Sequence, residues 1–356
     1  MPSQFFLDRL SHEPHALMFA GQSTPWTVAL TQLAEDPGLD RRLHAHADAA
    51  RDLLAPVAAE LLATTGRPVD LFSYEANPAR LGAAADATVS VEGIALAQLG
   101  ALLDAEGLGY RLSDAQPVAL LGHSQGILAV HMARAVMDAG SAEAAAGAID
   151  TILAIAALIG AAGTRVARTH GIHARHGEAT PMLSVKGITP AQVAALIGRV
   201  DDARGPIAVA VTNAADHVVL AGHPQDLASF AVETAKEHRR QAQLRTDKVR
   251  GGAVFDPVLE YLDVTVPFHS PLMADAVDLV AGWADACGID ADTARALAAE
   301  VLLEPVDWSA QVAALLAEHD PTQLWVLDFG PGTTLAKLFA GNAQGTGVGV
   351  VDAAGV

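Results

Sequence analysis

Ser124 sits between two glycines in Pro117-Val-Ala-Leu-Leu-Gly-His-Ser-Gln-Gly-Ile-Leu-Ala-Val130, with apolar runs on either side. This Gly-x-Ser-x-Gly spacing reads as a strand, a tight turn and a helix, and it lifts the Ser124 hydroxyl above the strand end. Gly122 and Gly126 leave room where the chain reverses. The following helix aims unpaired backbone N–H groups and the positive end of its dipole at the serine, so an oxyanion formed there is stabilised. The chemistry implied is nucleophilic attack on a carbonyl, which requires a base to take the hydroxyl proton. Fourteen histidines are available. His269 stands out because it follows a strand-like run, Tyr261 to Pro267, and Phe268, which would set it at the rim of a sheet. His123, inside the turn, is expected to point away from Ser124 in a structural role.

The elements that must position these groups follow from periodicity and turn residues. His15 to Ala20 reads as a first strand ending in Gly21-Gln22-Ser23-Thr24-Pro25. Helices are predicted from Thr27 to about Thr65, broken near Pro37 and Pro56, and from Val91 to Glu106. Strand Val118 to Leu121 delivers Ser124, and helices Gln125 to Ala139 and Ala148 to Arg168 follow. This alternation predicts an α/β core with a mainly parallel sheet, similar to that of serine hydrolases. From Met182 to about His238 the pattern changes. Leu183 to Val185 is strand-like, Thr189-Pro190 caps a helix, Ile207 to Thr212 and His217 to Ala221 alternate as strands, and Pro224 opens another helix. Strand, helix, two strands and helix make most of a ferredoxin-like motif. The predicted organisation is a core of residues 1–180 and 248–356 with an inserted α+β subdomain at 181–247. Helices Ala274 to Ala286, Asp292 to Leu303 and Trp308 to Glu318, then strand Leu324 to Leu327, complete the core. A strand-like run, Thr346 to Val351, comes last, with no terminal helix to tie it down.

Composition narrows the function classes. A length of 356 residues allows two domains, and a formal charge of −19 argues against nucleic-acid binding. Cys287 is the only cysteine, so no disulfide framework or thiolate metal cluster is expected, and a reducing, cytoplasmic setting fits. The longest apolar run, Thr151 to Ala162, is shorter than a bilayer span and reads as a buried helix. One basic stretch departs from the acidic average: Lys236, Arg239, Arg240, Arg245, Lys248 and Arg250, against Glu237 and Asp247. It is either a landing strip for a nucleotide phosphate or acidic carrier, or a solvated helix end.

Five motifs in order carry a resemblance: Gly21-Gln22-Ser23, Gly122-His-Ser-Gln-Gly126, Val266-Pro-Phe-His-Ser-Pro-Leu-Met273, Glu304-Pro-Val-Asp-Trp308 and Gly330-Pro-Gly332. With the inserted subdomain they resemble the acyl-CoA:acyl carrier protein transacylases of fatty acid and polyketide synthesis. Gln125 after the serine, and Ile127 where a glutamate is usual, look most like the acetyltransferase domain of type I multifunctional fatty acid synthases. The resemblance implies that Ser124 takes an acyl group from a coenzyme A thioester while His269 removes its proton. The oxyanion would lie between the backbone N–H groups of Gln125 and Gln22. A carrier protein's phosphopantetheine thiol then takes the acyl group, with neither metal nor bound cofactor. In this family a backbone carbonyl orients the histidine, and asparagine usually stands where this chain has Glu304.

The resemblance also bears on which acyl group is carried. Malonyl-using relatives pair the substrate carboxylate with an arginine, and alignment puts Ile159 there, which favours acetyl because a buried unpaired carboxylate costs several kcal/mol. Arg165 and Arg168, one or two turns on, are the cations that would read a carboxylate instead. Phe268 beside the base either narrows the acyl pocket or packs the core. Three other readings stand beside acetyl transfer. One is a malonyl- or palmitoyl-type transacylase of the same family. The second is an α/β-hydrolase thioesterase, with Asp263 as its acid. The third is an inactive scaffold that docks a carrier. The end of the chain at Asp-Ala-Ala-Gly-Val356 suggests a domain of a larger synthase.

Overall fold

The computed structural model describes residues 12–22, 26–66, 86–173, 179–201, 203–246 and 255–353. In chain order these form β1 (His15–Phe19), α1 (Trp26–Leu33), α2 (Pro37–Leu53), α3 (Ala58–Thr65), α4 (Ala87–Gly107), β2 (Ala119–Gly122), α5 (Gly126–Asp138), α6 (Ala142–Thr169), β3 (Met182–Lys186), α7 (Pro190–Ile197), β4 (Ala208–Ala214), β5 (His217–Ala221), α8 (Pro224–Thr246), β6 (Val258–Tyr261), α9 (Ala274–Ala286), α10 (Ala291–Leu302), β7 (Val306–Asp307), α11 (Trp308–Glu318), β8 (Trp325–Asp328), α12 (Thr334–Asn342) and β9 (Gly349–Asp352).

Every residue of β1 is buried, as expected of a parallel strand covered on both faces. It pairs in parallel with β2 on one side and β8 on the other, and β9 adds to β8, giving the order β2-β1-β8-β9. The all-parallel sheet is the core predicted from the alternation of elements. Its registers Phe19↔Gly122 and Met18↔Asp328 bring the loops after β1, β2 and β8 to one end. Leu17 and Phe19 face a large cluster with α4, α5 and α6, while Ala16 and Met18 face a second one with α11 and α12.

Helices α4 and α6 are long and apolar enough to cross a membrane by length and composition. In this fold 89% and 61% of their most apolar windows are buried. The Thr151 to Ala162 run is the middle of α6, which begins earlier than predicted because Ser141 caps it through the Ala144 N–H. Each fully buried leucine or isoleucine along it contributes about 1.5–3 kcal/mol of transfer free energy.

The second sheet has the order β6-β3-β5-β4-β7. Its first four strands are antiparallel in the arrangement of a ferredoxin-like unit, with their own core around Leu183, Val185, Leu220 and Phe230. Tyr261 to Pro267 is not a strand returning to the large sheet. The strand lies earlier, at β6, and pairs with β3 as the fourth strand of the small sheet, with Leu183 opposite Tyr261. The small unit therefore extends past the expected boundary at 247. The alternation there mimics a strand because Val264 and Val266 are buried in an irregular segment against the large core rather than in a pleat. β7 reaches over from the larger body and pairs in parallel with β4, Val211 opposite Val306. Helix α12 was not predicted, and β9 is tied down as the edge strand of the large sheet.

Candidate active site

The turn between β2 and α5 holds Ser124 at φ 55°, a left-handed conformation that a side chain rarely adopts. Gly126 makes the turn possible, since a Cβ there would lie 2.1 Å from the Phe19 carbonyl oxygen. Among the described residues one other non-glycine residue has a positive φ, and it is His269, at 56°. Backbone strain in this fold thus falls on the two residues singled out for chemistry. Their side chains meet: Ser124 Oγ lies 2.9 Å from His269 Nε2.

His269 does not stand at the end of a strand. It follows the irregular 262–268 segment, and the next residue is locked by a bond from the Ser270 N–H to the Leu302 carbonyl. Its Nδ1–H donates to the Glu304 carbonyl at 2.7 Å, which fixes the tautomer and leaves the Nε2 lone pair for the serine proton. Because the acceptor is backbone, the identity of the Glu304 side chain does not enter this contact. The ring is 1% exposed, and burial drives its pKa down from 6.5 to about 4, partly opposed by the Glu304 carbonyl. At neutral pH it is an uncharged base in contact with a hydroxyl. The orienting place that a hydrolase gives to a carboxylate is taken by that carbonyl, so Asp263 does not fill it.

Gln125 is the N-cap of α5, and its backbone N–H makes no hydrogen bond among the described residues. An anion beside Ser124 meets this donor and the positive helix end. Gln22 lies across from it. The two side chains are joined, Gln125 Nε2 donating to Gln22 Oε1 at 2.9 Å, and Gln22 Nε2 donates to Ser90 Oγ of α4 at 2.8 Å. Farther along α4, Gln98 Nε2 donates to the carbonyls of Ala20 and Gly330, at 2.7 and 2.9 Å. The Ala20 N–H also donates to Gly330. The Gly330-Pro331 turn is held from below by Asp328, whose carboxylate accepts from the N–H groups of Gly330 and Ala336. Asp328 is fully buried opposite Asp352, and burial raises its pKa to about 7.

His123 turns away from Ser124 toward the small subdomain. Its Nε2–H donates to Asn213 Oδ1 at 2.8 Å, and its ring lies edge-on to Trp308. Asn213, 3% exposed, continues to His217, whose Nε2 lies 3.1 Å from Ser184 Oγ. A part-buried polar chain therefore links the serine turn to β4, β5 and β3 of the small sheet. Asn213, Ser90, Gln98 and Asp328 are not among the residues that the sequence singles out. The one available signal was a polar residue within an apolar run.

Ile159 is fully buried on α6, and Phe268 is 2% exposed in the same core cluster. Neither nearby arginine turns inward: Arg165 pairs with Glu60 at 2.7 Å over the Trp283 ring, and Arg168 donates to the Thr64 carbonyl. In the basic stretch, Lys236 pairs with Glu233, and Arg240 and Arg199 converge on Glu237, which they hold near a pKa of about 2. Arg239 is exposed on α8. The Arg245 side chain, Lys248 and Arg250 lie outside the described residues.

The large parallel sheet, the small ferredoxin-like unit and the serine turn together make a mixed α/β fold. It is similar over nearly its whole length to MCAT from Mycobacterium tuberculosis, at 23% identity, covering 95% of this chain and 96% of that one with a TM-score of 0.57. MCAT from Streptococcus pneumoniae matches at 14% identity, covering 96% and 97%, TM-score 0.62. A malonyl-transacylase solved in complex with a type II PKS acyl-carrier protein matches at 17% identity, covering 95% and 94%, TM-score 0.59. Residues 181–261 match the family model described as the fatty acid synthase central AT domain. That span begins one residue before β3 and ends with β6, the limits of the small antiparallel unit.

Proposed function

We propose that this protein moves an acyl group from coenzyme A to the phosphopantetheine thiol of an acyl carrier protein, through an ester on Ser124. The observation that carries the reading is the 2.9 Å contact between Ser124 Oγ and a buried, neutral His269 whose Nδ1–H is bound to a carbonyl. In the first half-reaction Oγ attacks the thioester carbonyl carbon while Nε2 takes the hydroxyl proton. The oxyanion is received by the N–H groups of Gln125 and Gln22. Collapse expels the coenzyme A thiolate, which takes the proton from the imidazolium. In the second half-reaction the carrier thiol gives its proton to Nε2, sulfur attacks the ester carbonyl, and Ser124 leaves and recovers the proton.

For the acyl group we propose acetyl. Support comes from Ile159, apolar and buried, and from Arg165 and Arg168, which are committed to α3 and the residues beside it. A second reading, malonyl transfer, is favoured by the names of the structural neighbours, several of which are malonyl transferases. The match of residues 181–261 to a fatty acid synthase domain supports a place beside the other domains of such a synthase, and the single cysteine, Cys287, supports a reducing cytoplasmic setting. The test is single-turnover transfer from radiolabelled acetyl- or malonyl-CoA to a holo carrier protein. Label should appear on the carrier faster than as free acid, and acetyl should exceed malonyl. Release to water with no carrier product would instead establish a thioesterase, and preferential malonyl transfer would overturn the acetyl assignment.

A further inference from the structure

Helix α4 grips the loop after β1 at two points, and one of them is a fully buried hydroxyl between Val89 and Val91. We infer that Ser90 is a positioning residue of the oxyanion site, holding the backbone of Gln22 in place through that residue's side chain. The inference deepens the acyl-transfer reading and rests on it.

Three observations converge. Ser90 is fully buried, flanked by Val89 and Val91 and followed by Ile94, where a hydroxyl without a partner is costly. Its oxygen accepts from Gln22 Nε2 at 2.8 Å. The other end of the same amide accepts from Gln125 Nε2 at 2.9 Å. The two residues to which the proposed mechanism assigns the oxyanion are therefore cross-linked by their side chains, and Ser90 fastens the pair to a buried helix. Two turns on, Gln98 fixes the start of the loop at the Ala20 carbonyl. Gly21, between these anchors, is pressed so closely on the serine turn that a Cβ there would lie 2.8 Å from Ser124 Cβ. A small displacement of the loop thus changes the distance from the Gln22 N–H to the oxyanion, while the ground-state pocket is little altered. Donors of this kind act through preorganisation, and removing one outright lowers turnover roughly 100- to 1,000-fold. Loosening one should cost a part of that, about ten-fold.

The experiment compares wild type, Ser90→Ala and Ser90→Thr in two reactions of Ser124. One is acylation by acetyl-CoA, and the other is phosphonylation by a fluorophosphonate, which needs the same oxyanion donors but no acyl-CoA site. The dissociation constant of coenzyme A is measured alongside. Ser90→Ala should slow both covalent reactions about ten-fold with coenzyme A affinity unchanged, and Ser90→Thr, which keeps the hydroxyl, should recover most of the loss in at least the fluorophosphonate reaction. Equal phosphonylation rates in wild type and Ser90→Ala would overturn the inference. So would a parallel loss of coenzyme A affinity, which marks a general packing defect. If wild type takes the fluorophosphonate but no acyl-CoA, the acyl-transfer reading fails, while a slowed Ser90→Ala still upholds the positioning role.

Discussion

The acid limb of the acylation reaction should lie far below that of an ordinary histidine. His269 is 1% exposed, and burial holds its pKa near 4 even though the Glu304 carbonyl favours the protonated ring. The difference of about 2.5 units from the ordinary value corresponds to roughly 3 kcal/mol in favour of the neutral base. At pH 5.5 about 97% of the rings are then neutral, against about 9% for an unperturbed histidine, so the two cases differ about eleven-fold in competent enzyme. The assay is the single-turnover rate of coenzyme A release from saturating acetyl-CoA between pH 4.5 and 8, read by thiol trapping on quenched aliquots. The rate should be nearly flat from pH 8 to about 5 and fall below that. Stability gives a second readout. The unfolded chain binds a proton at His269 near pH 6.5 and the folded chain only near 4, so stability from the neutral ring is present above 6.5 and is lost as pH falls toward 4. His15, His123 and His217 are also depressed by burial, so His269 is isolated by comparing wild type with His269→Gln, whose acid-side loss should be smaller by a few kcal/mol. An acylation midpoint near pH 6.5 would refute the reasoning, because the ring would then be charged where the site needs it neutral.

Two further outcomes follow from the same geometry. Gly126→Ala places a methyl group 2.1 Å from the Phe19 carbonyl oxygen, so the turn must shift; denaturant titration should show a loss of about 1–3 kcal/mol, and acylation of Ser124 should fall with it. Asp328 carries a pKa raised to about 7, so its contribution to stability is greatest below pH 4 and is lost as pH rises to 7, on the order of 4 kcal/mol. Asp328→Asn should flatten that part of the stability profile, and an unchanged slope between pH 4 and 7 would show that the carboxyl is not buried as described.

The parts of this molecule that could be read from sequence are those fixed by local sterics. Gly122-His-Ser-Gln-Gly126 specifies its own turn, because only glycine at 126 fits against Phe19, and β1 is apolar from Ala16 onward because both its faces are covered. His269 was singled out for a strand end that does not exist; its placement comes instead from a left-handed backbone and from bonds to Leu302 and Glu304, more than thirty residues away. The same distance dependence hid β6, whose four residues look no more strand-like than the coil after them until β3 supplies a partner. Ser90, Gln98 and Asn213 were illegible for a related reason. Each is a buried polar residue whose acceptor or donor lies on another element, and only the fold reveals which.

The covalent step on Ser124 is the claim on which the rest depends, and the intact mass of the protein after brief exposure to acetyl-CoA tests it most directly. Wild type should gain one acetyl group and Ser124→Ala none, with the adduct lost on addition of a holo carrier protein. No adduct on wild type from acetyl-CoA or malonyl-CoA, or an equal adduct on Ser124→Ala, would contradict the account.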